Sequence, residues 1–141
     1  MTPSPSLIDT DILSALLRQD PIATNRAKSY VAAHRKLTIS VITHYEILRG
    51  LRAKTAAAQI ARFQRALTAN TILPLTDEAI DRAASIYAHL YRQGTLIGDA
   101  DILIAATALT HGLILVTNNV RHFQRVPGLS LDNWLEPPTR P

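Results

Sequence analysis

Gly98–Asn119, "GDADILIAATALTHGLILVTNN", sets a helix and a strand end to end. From Asp99 to Thr110 apolar residues fall nearly all the way round a helix, a pattern that suits only a buried one. His111–Gly112 ends it, glycine being the favoured residue just past a helix C-terminus. Leu113–Val116 follows as an unbroken aliphatic run, as expected of a strand in a parallel sheet covered on both faces. A buried helix leading into a buried parallel strand predicts an α/β fold, its sheet held between helices.

The same alternation extends outward in both directions. Ser6–Asp9 reads as a short buried strand, followed by a helix over Asp11–Leu17 that stops before Asp20–Pro21. Thr24–His34 is helical, and Leu37–Ser40 is the next strand, with Ser40 as N-cap of a helix over Val41–Arg52. Thr55–Thr68 is a further helix and Thr71–Leu73 a strand closed by Pro74. Thr76 caps a long amphipathic helix with Gly94 after its end. Leu129–Leu131 is a last short strand. The pattern predicts one domain over 1–134 and a proline-rich tail over 135–141, which holds Pro137, Pro138 and Pro141.

The 141 residues match the size of one domain, and the 47% apolar content supplies one core. No apolar run approaches a membrane span, and MTPSPS lacks the regions of a signal peptide, so a soluble cytoplasmic protein without membrane partners is expected. The absence of cysteine excludes disulfides, cysteine–zinc sites and thiol nucleophiles. Fifteen lysines and arginines against eleven acids give +4 and a pI near 9.9, a balance that fits a polyanionic partner. Arg49, Arg52, Arg62 and Arg65 form a basic stretch placed to hold an RNA backbone. A solvated helix face is the alternative for each taken singly.

Acidic residues interrupt this apolar frame. Asp9 and Asp11 flank Thr10 where the first strand becomes a helix. Glu46 lies in the largely apolar "SVITHYEIL", and Asp99 and Asp101 open the buried helix. Sites on open parallel sheets form at the carboxyl ends of strands, where Asp9 and Thr117–Asn119 lie. Each acid also has a structural reading: Asp99 as N-cap, Asp101 and Asp11 in first turns, Glu46 paired with Arg49 at i,i+3. The conjunction favours a site. Residues two apart on a helix point to different sides, which assigns the cap to Asp99 and the site to Asp101. Asp9, ending its strand, is expected to be the stronger ligand and Asp11 secondary.

An oxygen-only donor set of Asp9, Glu46 and Asp101 selects Mg²⁺, with Mn²⁺ able to substitute, over zinc. Such an ion suits phosphoryl chemistry, because it polarises the phosphate and lowers the pKa of an attacking water. His34 and His111 fall at helix ends, and His44, His89 and His122 share no motif.

With these residues identified, the chain resembles the VapC-type toxins of the PIN-domain ribonuclease family over about Leu7 to Trp134. "LIDTDIL" resembles the opening strand and turn whose aspartate, here Asp9, binds metal. "ISVITHYEILRGL" resembles the segment carrying the second acid, Glu46. "RQGTLIGDADILIAATALTHGLILVTNNVRHFQRVPGLSLDNW" resembles the tRNA-targeting VapC branch, with the third acid at Asp101 and "VTNN" supplying Thr117 and Asn119. The resemblance implies a three-layer PIN-like fold with a short central parallel sheet, RNA cleavage, a VapB-type antitoxin partner and a homodimer. It also adds Asn119 to the catalytic set of Asp9, Glu46 and Asp101. Where many relatives carry a fourth carboxylate this chain has Asn119, so that position orients a water or the phosphate.

Two rival readings differ in class. A haloacid-dehalogenase-like phosphatase would use "DTD" as nucleophile and acid, but no convincing lysine lies between the motifs and the chain is short for it. A catalytically inactive PIN-like RNA-binding module would use the acids only as caps.

Overall fold

In the computed structural model, which describes residues 2–138, five short strands form two parallel sheets, of three strands and of two, packed among helices. Ser6–Ile8 (β1) pairs with Ile114–Val116 (β4), Leu7 opposite Leu115 and Ile8 opposite Val116. Leu131–Asp132 (β5) adds to the far edge of β4. Thr38–Ser40 (β2) and Thr71–Leu73 (β3) make a separate two-stranded parallel ladder that lies beside β1.

Successive side chains of a strand point to opposite faces, and the two cores obey this rule. Leu7 and Leu115 join Ile86 and Leu90 of α5 (Asp77–Arg92) and Ile104 of α6 (Asp99–Thr110). Ile8 and Val116 face the other way. They join Ile12 of α1 (Thr10–Leu17), Tyr30 of α2 (Pro21–His34), Ile47 of α3 (Val41–Ala53) and Phe63 of α4 (Ala57–Ala69). All four strand residues have no exposed surface, which explains a run of aliphatics without alternation. The result is the three-layer α/β arrangement that the alternation predicted.

Local differences from the sequence reading have identifiable causes. Asp20–Pro21 starts α2 instead of separating two helices: Asp20 Oδ2 accepts from Ala23 N at 2.9 Å, and Pro21 takes the first helical position, where its missing N–H costs nothing. Asp99 is not the N-cap of α6. Gly98 holds the extended capping conformation, and Asp99 is already helical and exposed. A short helix, α7 (Val120–Phe123), follows β4, and the last strand begins two residues later than expected.

The expected tail boundary also moves. Arg26 of α2 donates to Asp132 Oδ2 at 2.6 Å and to the carbonyls of Asn133 and Glu136, while Trp134 is buried beside Tyr30 and Leu135 packs against the same core. The chain therefore stays attached through Glu136. Residues 139–141 of the predicted tail lie outside the described residues. No described helix is long and apolar enough to cross a membrane.

Candidate active site

The adjacent carboxyl ends of β1 and β4 deliver the site. After Ile8 the chain turns at once into α1, and Asp9 is the N-cap, extended at ψ 162. Its Oδ1 accepts from Thr10 N at 2.8 Å, and its Oδ2 accepts from Thr117 Oγ1 at 2.8 Å. Thr117, fully buried just past β4, accepts in turn from Asn119 N at 3.0 Å. Asp9 is thus fixed from both strands. Burial, reinforced by the Asp11 charge beside it, pushes its carboxyl up to about 7.

Asp11 reaches the same spot from the first turn of α1. Its Oδ2 accepts from Asn118 N at 3.0 Å, while its buried Oδ1 has no hydrogen-bond partner. Burial raises its pKa as well, and the hydrogen bond from the Asn118 amide opposes the rise. An orphaned buried carboxylate oxygen is costly unless something cationic satisfies it. The second aspartate of the pair therefore belongs with the first.

Glu46 arrives on α3 and is anchored by a residue the sequence reading passed over. Thr10 Oγ1 lies 2.7 Å from Glu46 Oε1, to which it donates, and 3.0 Å from Thr43 Oγ1. The Glu46–Arg49 pair is long, at 3.7 Å, with the arginine side chain 58% exposed, and such pairs contribute little.

Asp101, in the first turn of α6, faces inward and meets His122 Nε2 of α7 at 3.2 Å. Burial raises its pKa, the His122 charge lowers it, and the Glu46 and Asp11 charges raise it further. His122 carries no recognisable spacing, because its partner lies on a different helix. Asn119 is exposed at the start of α7, and its side chain makes no capping hydrogen bond. Asp99 is exposed on the opposite side of its helix turn from Asp101.

Four acids, Asp9, Asp11, Glu46 and Asp101, thus gather at one sheet edge. Among the described residues no three acidic or histidine side chains converge closely enough to hold an ion in their present rotamers. The donor set nonetheless fits a hard cation: it is all oxygen, it is partly dehydrated, and Asp11 Oδ1 is unsatisfied.

The four predicted RNA-binding arginines lie on two helices, Arg49 and Arg52 on α3 and Arg62 and Arg65 on α4. Arg49 lies over the Tyr45 ring at 5.1 Å, and Arg52 lines a shallow recess with both. Arg62 donates to Leu17 O at 3.4 Å, beside α1, and Arg65 is exposed one turn further along α4.

The PIN domain family model matches residues 6–129. Ribonuclease VapC2 of Haemophilus influenzae is 35% identical over 92% of this chain and 97% of its own length. Ribonuclease VapC1 of Rickettsia felis is 38% identical over 89% and 92%. The tRNA(fMet)-specific endonuclease VapC of Salmonella typhimurium is 33% identical over 70% and 76%. Among solved structures, DNA-bound VapBC from Salmonella typhimurium superposes with a TM-score of 0.83 at 26% identity, covering 94% of this chain and 99% of that one. A parallel α/β fold, within a match spanning nearly the whole chain, identifies this protein as a member of the PIN-domain family, among its VapC ribonucleases.

Proposed function

We propose that this protein is the toxin of a toxin–antitoxin pair, a Mg²⁺-dependent endoribonuclease that hydrolyses phosphodiester bonds in tRNA or another structured RNA. The observation that carries the reading is the buried, unpartnered Oδ1 of Asp11 beside the raised Asp9 carboxyl. Like charges brought together out of water need a cation, and a phosphodiester brought to them needs its own charge offset. Asp9, Asp11, Glu46 and Asp101 would hold Mg²⁺ or Mn²⁺. When bound, such an ion polarises the phosphoryl oxygen and lowers the pKa of the attacking water.

The chain's own residues hold these carboxylates in place. Thr117 and the Thr10 amide orient Asp9, Thr10 Oγ1 fixes Glu46, and His122 lies against Asp101. Asn119, uncharged and exposed next to Asn118, is placed to hydrogen-bond a phosphate oxygen or a water. Support for a tRNA target comes from the Salmonella relative named for tRNA(fMet), and support for a VapB-type antitoxin from solved neighbours that are VapBC assemblies. RNA cleavage of this kind would take place in the cytoplasm, by a homodimer in which each copy carries one site. PIN-family membership sets the phosphatase alternative aside.

The test is cleavage of total tRNA with and without chelator. Excess chelator abolishes cleavage, and Mg²⁺ or Mn²⁺ restores it. Undiminished cleavage in chelator overturns the metal-dependent reading. Binding without cleavage under every condition leaves only an RNA-binding module.

A further inference from the structure

Next to the carboxylates runs a groove of about 250 Å³, walled by α1, α3 and α4. Thr10 and Glu46 line one end of it, so it opens directly from the acidic site. Leu17, Ile47 and Leu51 give it an apolar floor. Arg18, Lys54 and Arg62 are exposed on its rim, and the hydrogen bond from Arg62 to Leu17 O ties that guanidinium to the groove's edge. Glu46 is the one acid among the lining residues.

Gly50 lines the groove and needs an explanation. It lies inside α3, where glycine weakens a helix relative to alanine. Its backbone is not left-handed, and a Cβ placed there would meet nothing within 4 Å. Neither chain conformation nor packing within the fold calls for glycine. The volume a side chain would occupy belongs to the groove.

We propose that this groove seats a nucleotide of single-stranded RNA adjacent to the bond that is cut, with Gly50 keeping it open. The inference rests on the ribonuclease reading above. The base lies on the Leu17–Ile47–Leu51 floor, an unstacked face that only a single strand offers. Arg18, Lys54 and Arg62 meet the backbone phosphates, and Ser14 and Gln59 supply hydrogen-bonding groups on the walls. The groove is too small for a duplex. An acidic protein segment would also meet the three cations, but RNA is favoured by continuity: a strand whose phosphate reaches Asp9 and Asp101 passes Thr10 and Glu46 into the groove.

The experiment compares wild type, Gly50→Leu, the Lys54→Gln/Arg62→Gln double variant and Arg82→Ala on α5, outside the groove. Binding of a short fluorescein-labelled single-stranded RNA is measured in chelator, so that no cleavage intervenes, and cleavage of total tRNA is measured with Mg²⁺. Thermal melting establishes that each variant folds. Gly50→Leu is expected to weaken RNA binding at least roughly tenfold, a loss of about 1.4 kcal/mol, and to raise KM more than it lowers kcat. The double variant lowers the slope of log K against log salt by about 1.4, two contacts at about 0.7 each for a single strand. Arg82→Ala changes neither.

Unchanged binding in Gly50→Leu and an unchanged salt slope in the double variant, with wild-type cleavage intact, overturn the groove assignment. If Gly50→Leu leaves RNA binding and KM unchanged but prevents neutralisation by the cognate antitoxin, the groove is a protein dock and the RNA assignment also falls. Absence of cleavage in the wild type would instead count against the ribonuclease reading itself.

Discussion

Asp9-Thr10-Asp11 and Asp99-Ala100-Asp101 have the same spacing, and both stand where a helix begins, yet they end in opposite arrangements. Asp9 is an N-cap with extended backbone, and only Asp11 is within the helix proper. The bend between them lets both carboxylates turn toward the sheet edge. Asp99 and Asp101 are both helical, so their side chains leave the axis about 200° apart. One faces solvent and the other meets His122. Spacing alone does not say how many carboxylates enter a site. The backbone state of the first residue decides it.

The sharpest way to break this comparison is to neutralise the acids one at a time. Asp9→Asn and Asp101→Asn should each reduce RNA cleavage by more than about a hundredfold, beyond the range of outer-shell changes around a metal. Comparable cleavage by wild type and Asp101→Asn would remove Asp101 from the site.

Asp11→Asn comes next, with an expected loss of about 10–100-fold, because Asp11 shares the Asp9 environment and offers an unsatisfied oxygen. The same substitution should raise the melting temperature in chelator, since it removes an acid whose charged form burial disfavours. If Asp11→Asn behaves like Asp99→Asn in both assays, the first pair works like the second and the contrast fails.

A subtler effect concerns pH. In the folded protein Asp9 holds its proton up to about 7, while in the unfolded chain it releases it near 3.8. Between these values the native state binds more protons than the unfolded one, so metal-free stability declines as pH rises through that window and levels off above it. The decline should be read as wild type minus Asp9→Asn, which cancels the ordinary carboxylates. Above the window, Mg²⁺ at a hundredfold excess over its dissociation constant should return about 2.7 kcal/mol to the wild type. A flat difference curve would show that Asp9 is not the buried acid described here.

The smallest expected effect is at Asp99. Asp99→Asn should leave cleavage within about twofold, because the residue keeps only a favourable place near the helix dipole. A large loss there would show that both members of the second pair reach the site.

Much of the fold was legible because its signals are local. Leu113–Val116 could only be a strand covered on both faces, and Ser40 and Thr76 cap helices as their positions predict, accepting from Thr43 N and Ala79 N at 3.1 Å. Asp20–Pro21 reads as a break because a proline after an acid resembles a stop as much as a start. The cap of α6 lies one residue before the Asp99 the sequence suggests, because glycine leaves no side-chain hydrogen bond to anticipate.

Readable from the residues alone were the alternation of strands and helices, the lack of cysteine and the acids available at strand ends and helix starts. All three follow from residue type and short-range spacing. Three-dimensional packing alone brings Thr10 to Glu46, Thr117 to Asp9, His122 to Asp101 and the Asn118 amide to Asp11. These partners come from different elements, and Thr117 lies 108 positions from Asp9. No periodicity encodes a contact across such a separation. It exists because parallel pairing of β1 with β4 brings two distant strand ends to one edge.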